Sequence, residues 1–239
     1  MNSRQLQLYI TTESHCSYFV DRKSRSLVPD PEIALNMPIY NQLIQHGFRR
    51  SGGHSYRPHC KTCQACIACR IPVKQFIPNR SQQRCLKKNK DLVFSVVEAG
   101  FTQEYFELYC HYLNSRHVDG SMANPTEEDF SQFLYSDWCH TRFIELRLED
   151  RLVAVAVTDM MSDGLSAVYS FFDPDLKKRS LGTYCVLQQI EYAKQLNLEY
   201  VYLGYWIENH EKMHYKKNFK PLQLYLEDQW KTTSDKTTT

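Results

Sequence analysis

The sequence has no long apolar run. Its most hydrophobic stretch, LVAVAVTDMM from Leu152, is far too short to cross a bilayer. The opening residues, MNSRQLQLYITTES, lack the charged-then-apolar pattern of a secretory signal, so a cytoplasmic location is expected. Net charge is nearly absent too. The balance of 29 Lys and Arg against 27 Asp and Glu leaves +2, which excludes a surface that is basic all over. No internal repeat is visible. The nine cysteines are an odd number, and 239 residues at 42% hydrophobic content bury enough core to need no disulfide staples. The thiols are therefore read as reduced, and their clustering as a sign of metal or chemistry.

What is present divides into two halves. Up to about Asp91 the chain is turn-rich, with Pro29, Pro31, Pro38, Pro58, Pro72 and Pro78 and an SGGH turn at Ser51. Helical spacing in EIALNMPIYNQLIQHGF is interrupted by Pro38. A small domain over residues 1–91 is expected, whose modest core a bound metal would support. From Leu92 the periodicities sharpen. LVFSVVEA reads as a strand and FTQEYFELYCHYLNSRH as an amphipathic helix. PTEEDFSQFLY reads as a second helix, with Asn124 as N-cap and Pro125 at the first helical position. RFIELRLEDRLVAVAVTDM has the form strand, turn, strand. GLSAVYSFFD is another strand, LGTYCVLQQIEYAKQLN a helix, LEYVYLGYW a strand, ENHEKMHYKKN a short helix and LQLYLED a last strand. A second domain over residues 92–230 is expected, followed by a disordered polar tail at 231–239. The fold class is α+β, with a central mixed, mainly antiparallel sheet flanked by helices. The order of elements, with a strand leading through RSLGT into a long helix, resembles the GCN5-related N-acetyltransferase (GNAT) fold.

In those acetyltransferases the corresponding loop closes small residues on the pyrophosphate of coenzyme A. Arg179 and Gly182 match that pattern, but Tyr184 stands where a small residue is wanted. A coenzyme A donor is therefore not expected, whereas another activated donor entering the same crevice is. A phosphate-binding face is expected in PNRSQQRCLKKNKDL, where helical spacing puts Arg80, Arg84, Lys87 and Lys88 on one side. Further cations gather at Lys177 to Arg179, at Arg49 and Arg50, and from Lys212 to Lys220 with His214, Lys216 and Lys217. In a chain of near-zero net charge, such clustering implies a local polyanion site.

YRPHCKTCQACIACR spaces Cys60, Cys63, Cys66 and Cys69 at a constant step of three. Four cysteines so close together rarely wrap one ion, since Cys₄ zinc sites draw on two separated segments. The run is read as supplying two or three ligands, with Cys16 in SHCSYF completing the set. His15, His54 and His59 are alternatives, and packed reduced thiols are another. Cys85, Cys110, Cys139 and Cys185 sit singly in apolar segments and are read as core.

Taken in order, HCSYF, then GFRRSGGHSYRPHCKTCQACIACRIPVKQFIPNRSQQRCLKKNKDL, NSRHVDGSM, GLSAVYSFFDPDLKKRSLGTY and YVYLGYWIENHEKMHYK resemble the arginyl-tRNA–protein transferase family, in its short bacterial branch. The resemblance runs from about Cys16 to Trp230. It implies transfer of leucine from leucyl-tRNA to the N-terminal Asp or Glu of a protein, which marks that protein for degradation as an N-degron. It also implies an N-terminal transferase domain followed by a GNAT-like one. Cys16, Cys60, Cys63 and Cys66 match family positions, and Cys69 is extra. Eukaryotic relatives have been assigned an iron–sulfur cluster at cysteines that include an adjacent pair, which this chain lacks.

Under that reading an aminoacyl ester arrives already activated, so no cofactor is required for the transfer; zinc or an iron–sulfur cluster at the N-terminal cysteines is a separate expectation. The partners are leucyl-tRNA and proteins or peptides beginning with Asp or Glu; no membrane is involved, and a monomer is favoured. The nucleophile is an α-amine of ordinary pKa about 7.7–8.0, so a strong base is optional. Selecting an acidic side chain needs a cation, and Arg49, Arg50, Arg57 and Arg70 lie in the diagnostic segments. Tyr169 is a candidate for the oxyanion or ribose, Asp173 for orienting the amine, and His117 is a third candidate. Arg80, Arg84, Lys87, Lys88, Arg179 and Gly182 are the expected tRNA contacts. Two rival readings are an acyl-CoA N-acetyltransferase and a zinc-bearing RNA-binding module.

Overall fold

The computed structural model describes residues 6–116, 124–208, 210–211 and 213–233. The first part of the chain forms β1 (Leu8–Ile10), β2 (Ser14–His15), β3 (Lys23–Ser24), β4 (Ser26–Pro29), α1 (Met37–Gln45), β5 (Arg49–Ser51), β6 (His54–Pro58), β7 (Ile67–Pro72) and α2 (Arg80–Lys88). It continues with β8 (Leu92–Glu98), α3 (Gln103–Arg116), α4 (Glu127–Leu134), β9 (Thr141–Leu148), β10 (Arg151–Met160) and β11 (Gly164–Phe172). A 3-10 turn (Pro174–Arg179) leads into α5 (Leu181–Gln195) and β12 (Tyr200–Trp206). A second 3-10 turn (His214–Asn218) precedes β13 (Gln223–Leu226) and β14 (Gln229–Thr232).

Eight strands form one sheet in the order β14-β13-β7-β12-β11-β10-β9-β8, and only β11–β12 is a parallel pair. This is the mixed sheet expected from the sequence. The apolar run of β10 is explained by its place inside that sheet, covered on both faces. Val153, Ala154 and Ala156 pack towards Cys85 of α2 and Leu181, Cys185 and Ile190 of α5. Leu152, Val155 and Val157 pack towards Tyr105, Tyr109 and Leu113 of α3 and Phe130 and Leu134 of α4. Each fully buried aliphatic side chain contributes roughly 1.5–3 kcal/mol, so this strand anchors both layers.

Several local expectations change. Pro38 does not interrupt its helix: it sits in the first turn of α1, where its missing N–H costs nothing, and Asn36 caps that helix by accepting from the Ile39 N–H. Asn124 is not the cap of α4. Thr126 is, in a capping box with Asp129. Of ENHEKMHYKKN only the 3-10 turn forms among the described residues. Lys231 belongs to β14 rather than to a tail, and 234–239 lie outside the described residues. β7 comes from before residue 91 yet lies between β12 and β13, so the large sheet draws on both sides of the boundary expected there. The remaining N-terminal strands form a second sheet, β1-β4-β6-β5, and the β2–β3 ribbon.

Candidate active site at the fork of the large sheet

The parallel pairing of β11 and β12 covers only 164–166 against 200–202 and then ends. Strands that stop pairing leave backbone groups needing other partners. Two cations meet that need. Arg49, from β5 of the small sheet, donates through Nη2 to the Val168 carbonyl of β11 at 2.7 Å. Lys216 donates through Nζ to the Tyr205 carbonyl of β12 at 2.5 Å. Gly204 lies between them at φ +71°, and a Cβ there would stand 3.0 Å from Arg49 Nη1. Gly204→Ala should therefore strain the backbone by about 1–2 kcal/mol, lowering the thermal midpoint by a few °C. It should also displace the guanidinium, seen as a larger fractional loss of turnover than of stability; unchanged turnover would detach Arg49 from the site.

Lys216 was read in the sequence as part of a surface cluster, but its side chain is buried, at 4% exposure. Burial pulls its ammonium down to about 8; Cys69 works against that fall and the Arg49 charge adds to it. No spacing signal distinguishes it from exposed Lys217. Tyr18, Tyr56 and Tyr205 stand around Arg49 and also line a cavity of about 600 Å³. Burial raises the Tyr18 phenol to about 12. His210 closes this side, its ring edge-on to Tyr18 at 5.4 Å, and its Nδ1 is buried without a partner.

The expected site residues fall into three groups. Tyr169 lies on β11 just past the fork, packed by Phe133, Tyr109 and Tyr112, with its hydroxyl buried and unpartnered. Burial drives that phenol well above its usual range. Asp173 is buried and committed: it accepts from Arg151 Nη1 at 2.8 Å and from the Asp175 N–H at 2.9 Å, and so caps the 3-10 turn. His117 lies outside the described residues.

Among the arginines, Arg50 is a correction. Its side chain is fully buried and forks onto Asp159 with two bonds of 2.8 Å, then donates to the carbonyls of Gly52 and Leu134. Burial opposes its charge, yet Asp159 holds it above the ordinary range. With every one of its nitrogens bonded inside the protein and the side chain fully buried, Arg50 does not face a substrate. Arg70 is likewise internal, bonded to Gln223, Gln45 and the Tyr202 hydroxyl, and stacked 3.5 Å over the Tyr200 ring. Arg57 donates to the His46 carbonyl and borders the cavity, 3.6 Å from Asp228. Arg49 alone reaches the fork.

The α2 face forms as expected, with Arg80, Arg84, Lys87 and Lys88 exposed and Gln82 and Cys85 turned inward. Arg179 departs from its expected role, because its guanidinium forks onto Asp91 with two bonds of 2.8 Å. Gly182 serves packing: a Cβ there would press on the Phe172 ring at 3.0 Å. Tyr184 is buried in the core between α5 and α2, its hydroxyl donating to the Asn89 carbonyl.

Cys16, Cys60, Cys63 and Cys66 all line the 600 Å³ cavity. Cys69 is buried in the large sheet instead, its thiol bonded to the Gly204 carbonyl. Burial first, and then Cys16, Cys60 and Cys63, push Cys66 up to about 12. Cys63 is lowered by the Ala65 backbone N–H, against burial, with help from Arg22. The four thiols share one cavity, but among the described residues no three of their sulfurs gather within 4.8 Å of one another, so they do not form a ready-made metal cluster here.

Two family models match the chain: arginine-tRNA-protein transferase, N terminus, over residues 14–84, and arginine-tRNA-protein transferase, C terminus, over 104–226. The chain belongs to the arginine-tRNA-protein transferase family. Within that family, it is 50% identical over 229 residues to the aspartate/glutamate leucyltransferase of Saccharophagus degradans, covering 95% of this chain and 97% of that one. It is 48% identical to the enzyme of the same name from Pseudomonas syringae pv. syringae, with the same coverages. Among solved structures, FemX shares the fold with a TM-score of 0.52 at 8% identity, over 84% of this chain and 69% of that one. This family member is thus a transferase with an α+β fold, and no helix among its described residues is long and apolar enough to cross a membrane.

Proposed function

We propose that the chain transfers leucine from leucyl-tRNA to the α-amino group of proteins that begin with Asp or Glu, creating an N-degron in the cytoplasm. The observation that carries this is identity near 50% along 95% of the chain to leucyltransferases of that specificity. The fork of the sheet supports it physically. The amine attacks the ester carbon, a C–N bond forms and the C–O bond to ribose breaks. The proton lost by the amine passes to the departing ribose oxygen, directly or through its vicinal hydroxyl. No external energy source is needed, because the ester is already activated.

Holding amine and ester about 3 Å apart supplies much of the rate. The Tyr169 hydroxyl, buried without a hydrogen-bond partner just past the fork, supports a role as donor to an oxygen of the tetrahedral intermediate. Asp173 acts as a cap that fixes the turn leading into α5. The α2 face receives tRNA phosphates. In this reading the Cys-bearing N-terminal strands are a small domain set against the GNAT-like sheet. Cys16, Cys60, Cys63 and Cys66 face one cavity and are the residues that would hold a structural zinc or an iron–sulfur cluster, were they drawn together from their present spacing. Elemental analysis of the purified protein reads that occupancy directly.

One assay tests the reaction: radiolabelled leucyl-tRNA with peptides beginning Asp, Glu, Lys or Ala. Label is expected in the first two. Label in none, with the tRNA still retained on a filter, overturns transfer in favour of an RNA-binding module.

A further inference from the structure

Arg49 and Lys216 are two cations aimed at the two strands that part at the fork, Arg49 at Val168 of β11 and Lys216 at Tyr205 of β12. Neither has a carboxylate at ion-pair distance among the described residues. Arg49 offers five N–H donors and uses one, on Val168; Lys216 offers three and uses one, on Tyr205. The other buried arginines are tied down more fully: Arg50 bonds Asp159 and two carbonyls, and Arg70 bonds two glutamines and a phenol and lies over the Tyr200 ring. Burying a charge without an anion is costly. A fork that holds two such charges is arranged for an anion that comes and goes.

We propose that Arg49 and Lys216 form the pocket for the acidic side chain of the acceptor's first residue, with Lys216 the residue that makes a carboxylate preferred over its amide. This rests on the transfer reading and assigns its specificity. The planar Arg49 guanidinium presents a two-pronged face to a carboxylate, and Lys216 adds a point charge from the β12 side. Enclosure decides between anions. A tRNA phosphate carries a ribose on each side and needs an open groove, whereas a carboxylate on one or two methylenes is an end group suited to cations as buried as Lys216, at 4% exposure, and half-buried Arg49. The α-amine of the same residue then stays at the mouth, near the Tyr169 strand where the ester is expected.

The test compares peptides beginning Asp and Asn in the wild-type protein and in Lys216→Met, a neutral side chain of similar length. In the variant the Asp/Asn ratio of kcat/KM should fall about 10–100-fold, with leucyl-tRNA binding unchanged and Lys216→Arg restoring part of the ratio. A structural role through the Tyr205 carbonyl would lower both peptides alike and leave the ratio intact, which overturns the proposal. An unchanged ratio with weakened leucyl-tRNA binding also overturns it, in favour of a phosphate site. Should the Met variant not fold, the wild-type protein answers alone: an Asp-led dipeptide must raise its thermal midpoint more than an Asn-led one, and equal shifts refute the pocket. Wild-type protein that labels no peptide at all refutes the transfer reading instead, a different outcome from any of these.

Discussion

Asp159→Ala should destabilise the protein by about 3–5 kcal/mol, the largest effect expected of any single substitution discussed. Asp159 is fully buried, accepts two bonds from Arg50, a third from the Thr141 hydroxyl at 2.7 Å and a fourth from the Tyr40 hydroxyl at 3.3 Å. Truncation strands the fully buried Arg50 guanidinium with no other carboxylate at ion-pair distance among the described residues. That loss is a large part of a typical total stability of about 5–15 kcal/mol, so the thermal midpoint should fall by roughly 10 °C or more. Replacing both partners with Leu at 159 and Met at 50 should cost less than the sum of the single changes, because the stranded charge goes too. Denaturant titration of the four proteins measures this coupling. A loss under about 1 kcal/mol for Asp159→Ala would show that the pair does not hold the small sheet to the large one.

The same pair shows where sequence reasoning stopped. Arg49 and Arg50 are adjacent, in one strand, and alike in charge, so the sequence offers them equally as readers of a carboxylate. Alternation along β5 sends one to the fork and the other to the core, and the deciding partner, Asp159, is 109 positions away. Lys216 fails for a related reason: three lysines and a histidine around it make a surface cluster the natural reading, and only the docking of the 3-10 turn against β12 buries it. By contrast β8, α3, β9 to β12 and α5 were legible, because each has its own periodicity and its own turn chemistry. β7 was not, since IACRIP is short, follows the cysteine run, and becomes a strand only when β12 and β13 flank it. The family motifs spoke to the reaction without any of this. They did not say which arginine faces substrate.

The second large effect concerns the tRNA and lies far from the fork. Arg80, Arg84 and Lys87 are exposed on α2 and make no ion pair among the described residues, while Lys88 already donates to the Lys178 carbonyl. The nearest acid in sequence, Asp91, is held by Arg179, whose forked bond keeps its carboxyl below the usual range and so unavailable to neutralise the helix. Charge on this face is thus left to a polyanion. Neutralising all three residues to Gln should weaken leucyl-tRNA binding on the order of 10–100-fold near physiological salt, and reduce the slope of log affinity against log salt by about 2–3. Saturating tRNA should restore kcat, and the Asp/Asn ratio should stay as in the wild-type protein, because the helix packs on the α5 face while the acidic side chain is read at the fork. Binding measured by filter retention at several salt concentrations separates the cases. A lowered slope with intact peptide selectivity places the RNA on α2. An unchanged slope would mean that these cations are merely solvated, and that the phosphates are received on another face of the molecule.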